Sequence, residues 1–133
     1  MTLYPKILVV DDDLEDHLIL LEYFKEMGND QHVKFLENGQ RAITYLEQLT
    51  EDCLLPKLIV LDLNMPILNG TQTLLQIKRD SRLKHIPIII FSTSENENEK
   101  RKCLSFGALE YLVKPVTYDE GQRMVEKFSG YID

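Results

Sequence analysis

The run Leu58-Ile59-Val60-Leu61 leads without interruption into Asp62, and Pro66 blocks any regular continuation four residues further on. So short an apolar run, rich in β-branched residues and bounded by turn formers, reads as a strand covered on both faces, as in a parallel sheet. Three more stretches follow the same rule. Ile7-Leu8-Val9-Val10 ends in Asp11-Asp12-Asp13, Pro87-Ile88-Ile89-Ile90-Phe91 in Ser92-Thr93-Ser94, and Tyr111-Leu112-Val113 in Lys114-Pro115. Val33-Lys34-Phe35-Leu36 adds a shorter strand whose alternation is less clean. Helical patterns separate all five, which predicts a three-layer α/β domain built on a parallel sheet.

The first helix is expected from about Leu14 to Met27, capped by Asp13 at its start and stopped by Gly28. It carries two stripes. Asp16, Leu20, Tyr23, Phe24 and Met27 share one side, and Leu14, Leu18 and Leu21 lie nearly opposite at ~100° per residue. One stripe faces the sheet; the other meets a neighbouring helix or a partner. A second helix follows Asn38-Gly39 with Ala42, Ile43, Leu46 and Leu49 as its apolar positions, and a third follows Asn69-Gly70 with Leu74, Leu75 and Ile77. Ser94-x-x-Glu97 resembles a capping box for a fourth helix running through Phe106 and stopped by Gly107, and a fifth spans about Tyr118 to Ser129.

Charge narrows the functions open to such a chain. A formal net charge of −7 over 133 residues argues against non-specific nucleic-acid binding and against docking on an anionic membrane. No apolar run approaches the ~20 residues of a spanning helix, and none near the N-terminus suits a signal peptide. Cys53 and Cys103 have neither disulfide density nor metal spacing, so two unpaired thiols in a reducing cytoplasm are expected. His17, His32 and His85 show no mutual spacing and read as surface or packing residues.

The residues just past the strands are Asp11, Asp12, Asp62, Ser92 and Lys114. If all strands run parallel, these distant positions collapse to the crevice at the carboxyl ends of the sheet, where open α/β folds hold ligands. Three carboxylates held together resist ionising together, and a hard cation relieves that. Mg²⁺ takes one or two protein carboxylates and keeps several waters; Asp12 and Asp62 supply such oxygens, with Asp11 acting directly or through water. A carboxylate is also a nucleophile toward phosphorus. Lys114, Ser92 and the cation would then neutralise the oxygens of a phosphoryl group.

The chain resembles the response-regulator receiver domains of bacterial two-component signalling over essentially its full length. The resemblance rests on Val10-Asp11-Asp12, on Asp62-Leu63-Asn64-Met65-Pro66 with Gly70 eight positions past the aspartate, on Ser92-Thr93 and on Lys114-Pro115. It implies a flavodoxin-like, doubly wound sheet in the order 2-1-3-4-5, and residues 1–133 as a single receiver domain without an output domain. Asp62 is then the phosphoacceptor, served by a histidine kinase or phosphotransfer protein. Asp11, Asp12, Asp62 and the backbone carbonyl of Asn64 surround Mg²⁺, Ser92 is the switch hydroxyl, and Lys114 holds the phosphate.

By the same resemblance Tyr111 is the aromatic that reports activation, and the Lys114–Pro115 bond is cis. Asn64 and Ser94 sit where the family tunes acyl-phosphate lifetime. The fourth helix, fifth strand and fifth helix form partner or homodimer contacts. Such a protein catalyses its own phosphorylation and slow hydrolysis, and turns over no metabolite. Its first helix often receives the phosphodonor, which gives the Leu14, Leu18 and Leu21 stripe two readings: burial against the last helix, or a docking surface.

Two other functions remain open on sequence. Asp11-Asp12-Asp13 formally fits the Asp-x-Asp signature of haloacid-dehalogenase-type phosphatases, although the chain lacks a cap insertion and a late acidic pair. An interaction module that no longer accepts phosphate is the other.

Overall fold

The apolar runs pair side by side as parallel strands. The computed structural model describes residues 4–132, with β1 at Ile7–Val10, β2 at Val33–Leu36, β3 at Leu58–Leu61, β4 at Ile88–Ser92 and β5 at Glu110–Val113. Their order is β2-β1-β3-β4-β5, as expected. Register aligns Val10 with Leu36 and Leu61, Leu61 with Ile90, and Ser92 with Val113, so the strands finish nearly level. The order reverses between β1 and β3, which makes that pair the switch point where ligands enter folds of this type.

Alternation along the strands feeds two cores. Ile7, Val9, Leu58, Val60, Ile89 and Phe91 meet Leu20 and Phe24 of α1 (Leu14–Glu26) and Val125 and Phe128 of α5 (Tyr118–Ser129). Leu8, Val10, Ile59, Leu61, Ile88 and Ile90 pack on the opposite face. There they meet Ala42 and Leu46 of α2 (Gly39–Gln48), Leu74 and Ile77 of α3 (Gly70–Arg79) and Cys103 of α4 (Glu97–Ser105).

The caps largely follow the sequence. The Asp13 carboxylate accepts from the backbone N–H of Glu15 (2.9 Å) and Asp16 (3.4 Å). At the other end of α1, Gly28 adopts φ +72°, donates to the Lys25 carbonyl (3.0 Å), and lets Asn29 donate to Phe24 (2.8 Å). That Schellman closure needs a left-handed residue after the helix, and glycine takes it without strain.

The fourth helix departs from expectation. Its cap is Asn96, which accepts from the Glu99 N–H (3.0 Å), and not Ser94, whose hydroxyl accepts from Asn96 (3.2 Å) and whose carbonyl accepts from Tyr111 (2.8 Å). With Ser94 occupied, the equally good cap Asn96 starts the helix. The Lys114–Pro115 bond also differs: every peptide bond among the described residues is trans. Trans is the lower-energy isomer of an X–Pro bond by about 0.5–1 kcal/mol.

Between the two stripes of α1 the structure decides clearly. The Tyr23 side packs on α5, its hydroxyl donating to the Tyr118 carbonyl (3.2 Å) with the two rings 5.3 Å apart. Leu14 and Leu18 are 62% and 64% exposed, and Leu21 is half-buried, so the stripe is not covered by the last helix. Leu20→Ala is therefore expected to cost about 2–5 kcal/mol of stability. Leu18→Ala should stay within about 0.5 kcal/mol of wild type in the same urea titration. Equal losses at the two positions would show that the stripe is a buried face.

Candidate phosphoacceptor site

Because β1 and β3 end level, Asp11 and Asp62 emerge side by side. Asp11 N–H donates to the Leu36 carbonyl (3.0 Å) and Asp62 N–H to Val10 (2.9 Å), so the ladder itself fixes both Cα positions. Asp11 and Asp62 are buried and Asp12 is exposed, yet each offers a carboxylate oxygen within 4.8 Å of the others. These are hard oxygen donors of the kind Mg²⁺ and similar cations take.

The electrostatics record the crowding. Burial, with the Asp11 charge beside it, pushes Asp62 up to about 6 from 3.8, while Lys114 and the Asn64 backbone N–H pull the other way. Burial likewise raises Asp11, opposed by hydrogen bonds from Asp13 and Lys114.

Lys114 reaches this cluster from β5. Its N–H donates to the Ser92 carbonyl (2.8 Å), continuing the β4–β5 ladder by one step and fixing where the side chain departs. The ammonium Nζ lies 2.9 Å from Asp11 Oδ2, 2.7 Å from Asp16 Oδ2 and 3.6 Å from Asp62 Oδ1. The ammonium also lies over the Phe91 ring, with Nζ 5.5 Å from the centroid. Burial works against the charged lysine, but bonds from Asp16 and Asp11 outweigh it, so the group is held protonated above its ordinary range.

Ser92 is fully buried, and its Oγ accepts from the Ser94 N–H (3.1 Å). Tyr111 is also buried, its hydroxyl 2.8 Å from both the Ser94 carbonyl and Glu99 Oε1 on α4. The loop behind Asp62 is tightly built. Gly70 N–H donates to Leu63 (2.9 Å), and a Cβ on Gly70 would lie 2.2 Å from the Asp62 carbonyl oxygen. Asn64 is exposed and Ile67 is held at φ +70°, a left-handed conformation that a β-branched residue adopts only under constraint.

The structure thus gathers Asp11, Asp12, Asp62 and Lys114, with Asn64 in the loop just past Asp62, Ser92 at the end of β4 bonded through its carbonyl to Lys114 N–H, and Tyr111 on β5 bonded to Ser94 and Glu99. It leaves Leu14, Leu18 and Leu21 on the outer side of α1. Asp13, the second acid an Asp-x-Asp phosphatase would need, has its carboxylate on the α1 cap instead.

Three further residues were not anticipated in these roles. Asp16 is a partner of Lys114 and Glu99 a partner of Tyr111. His17 is buried, donating from Nε2 to the Asp11 carbonyl (2.5 Å) and lying 5.0 Å from the Phe35 ring. Only Asp16 left a trace in the sequence: it is a carboxylate on the otherwise apolar inward stripe of α1.

Residues 7–126 match the response regulator receiver domain model. The chain belongs to the response regulator receiver family. It is 32% identical to "Probable methanogenesis regulatory protein FilR2" of Methanothrix harundinacea, over 94% of this chain and 81% of that one. Response regulator Rcp1 of Synechocystis is 32% identical, over 96% and 88% of the two chains. A crystal structure of the phosphorylated cyanobacterial phytochrome response regulator RcpA superposes with a TM-score of 0.83 at 29% identity, covering 97% of this chain and 94% of that one. The Mn²⁺-bound form of Rcp1 gives a TM-score of 0.80 at 29% identity, covering 96% and 94%. As a receiver domain the protein is a two-component signalling switch and not a metabolic enzyme, and its acidic cluster is able to hold a metal. Among the described residues no helix is long and apolar enough to cross a membrane.

Proposed function

We propose that Asp62 accepts a phosphoryl group from a histidine kinase or a phosphotransfer protein, with Mg²⁺ bound beside it. The observation that carries this reading is the position of Asp62: buried, level with two other carboxylates, and 3.6 Å from a lysine ammonium. An Asp62 carboxylate oxygen attacks phosphorus, the N–P bond of the donor phosphohistidine breaks, and the departing imidazole nitrogen keeps the electron pair and takes up a proton. Lys114 and the Ser92 hydroxyl receive the phosphoryl oxygens as charge gathers on them.

Asp12 and Asp62 would hold Mg²⁺ through side chains and Asn64 through its carbonyl, with Asp11 direct or water-linked. Bound there, the ion neutralises phosphoryl oxygens that three carboxylates alone would repel. A Mn²⁺-bound form of the related Rcp1 supports a divalent cation as a ligand of this protein. The acyl phosphate carries about two negative charges where the carboxylate carried one, along with three new acceptor oxygens, enough to draw Ser92 and Lys114 toward it and to reset Tyr111 on the face formed by α4, β5 and α5. That face would then meet a target or a second copy of the chain. Leu14, Leu18 and Leu21 offer the phosphodonor an apolar strip beside the site. A cytoplasmic setting suits the free Cys53 and Cys103.

Acetyl phosphate provides the test. Wild-type protein should gain one phosphoryl group only when Mg²⁺ is present, and fragment mapping should put it on Asp62. Labelling elsewhere, or repeated turnover of a phosphate monoester that survives loss of Asp62 but not of Asp11, would replace this reading with a phosphatase.

A further inference from the structure

Lys114 has three N–H protons, and the structure accounts for two of them. One goes to Asp11 Oδ2 (2.9 Å) and one to Asp16 Oδ2 (2.7 Å). Asp62 Oδ1, the third oxygen nearby, is 3.6 Å away, beyond a direct hydrogen bond. An ammonium is tetrahedral, so two anchored protons fix the direction of the third. Asp62 Oδ1 is the next oxygen near Nζ, so the remaining proton is the one left for an anion arriving beside that carboxylate.

Asp11 alone does not set this direction. A single contact leaves the four-carbon lysine stem free to swing about it, and that stem has much rotamer freedom to lose. Moreover, Asp11 belongs to the cluster whose oxygens a cation would draw on. Asp16 stands outside that cluster, on the first turn of α1, and its side chain is only 26% exposed. It faces Lys114 because α1 turns the stripe of Asp16, Leu20 and Tyr23 inward, beside Phe91 and Pro115. A general helix-end charge does not explain it. Glu15 also lies in the acidic first turn, fully outward and with no lysine or arginine partner.

We infer that Asp16 is a positioning residue for phosphoryl binding: it tethers Lys114 from the α1 side so that the lysine's free N–H points at the Asp62 site. The inference rests on the phosphoacceptor reading and adds to it a residue outside the acidic cluster. Asp16 touches neither the metal nor the phosphate; it acts through Lys114.

The test uses beryllofluoride with Mg²⁺ as a stable phosphoryl mimic, on the whole chain. Asp16→Ala should bind it about tenfold more weakly, because the lysine must be ordered during binding. Asp16→Asn, whose amide oxygen still accepts from Nζ, should recover to within about threefold of wild type. Mg²⁺ alone should bind Asp16→Ala within about threefold of wild type, as Asp16 offers no oxygen to the acidic cluster and its side chain lies partly in solvent. In a Lys114→Ala background, Asp16→Ala should have no further effect on beryllofluoride affinity. In magnesium-free protein, the Lys114 ammonium protons should be protected from exchange in wild type and lose that protection in Asp16→Ala.

Unchanged beryllofluoride affinity in Asp16→Ala, or a loss that persists without Lys114, overturns the tether while leaving Asp62 as the acceptor. Failure of the wild-type protein to bind beryllofluoride with Mg²⁺ overturns the acceptor reading, and the tether with it.

Discussion

Asp62→Asn is expected to lose all Mg²⁺-dependent labelling by acetyl phosphate and, without metal, to be more stable than the wild-type protein at pH 7. Loss of labelling follows from chemistry: a carboxamide oxygen is not a competent nucleophile toward phosphorus, and the other buried acid, Asp11, is held by Lys114 and the Asp13 N–H. The gain in stability follows from the environment of Asp62. Burial and the neighbouring Asp11 raise it to about 6, so its ionised form is a strained passenger of the folded state. Asparagine keeps the size and an acceptor for the Asn64 N–H, and removes the like charge.

The sign sets the pH window. A carboxyl whose folded value lies above its unfolded value of 3.8 binds more protons in the folded chain between the two, so stability falls as pH rises from about 4 to about 6. The shift of roughly two pH units corresponds to about 3 kcal/mol at most. Asp62→Asn should therefore match wild type near pH 4 and exceed it by about 2–3 kcal/mol above pH 6, in magnesium-free urea titrations with unchanged slope. Saturating Mg²⁺ should narrow the gap, since wild type alone keeps the full carboxylate set. A variant less stable than wild type at pH 7, or a difference independent of pH, would mean that Asp62 is not strained by its neighbours.

What the sequence could reveal divides along a physical line. Asp11, Asp62, Ser92 and Lys114 were readable because a strand has a fixed direction, and parallel packing carries every strand end to one edge whatever the loop lengths. Residues placed by helix rotation or side-chain reach were harder to see. Asp16 showed only as a carboxylate on an apolar stripe, with nothing to say that Lys114 would meet it, and Glu99 is one of several acids in a polar stretch until Tyr111 reaches it. The two stripes of α1 were visible as a pair, but hydropathy cannot say which one the sheet covers. Tyr23 and Phe24 decide it by joining the core that the strands share with α5, which leaves Leu14 and Leu18 outside. The start of α4 at Glu97 turned on competition for Ser94, a contact made across the fold.

Lys114→Ala should separate two properties that are usually lost together. Lys114 is the ammonium that neutralises Asp11, Asp16 and Asp62, and two of these carboxylates, Asp11 and Asp62, would share their charge with a cation. Without it, Mg²⁺ meets less competing positive charge and should bind about tenfold more tightly. Phosphoryl transfer should move the other way. The group aimed beside Asp62 is gone, and loss of one such prearranged donor slows chemistry by about 100-fold or more. The metal-free fold should also weaken, by about 2–3 kcal/mol at pH 7, because buried carboxylates lose their counter-charge. Part of that loss should return on acidification, as Asp62 and Asp11 take up protons, and part on adding Mg²⁺. Titration of Mg²⁺ and the initial rate of acetyl phosphate labelling, measured on one preparation, give both numbers. If metal affinity and labelling fall together, Lys114 is holding the site in shape and not supplying the charge that receives the phosphate.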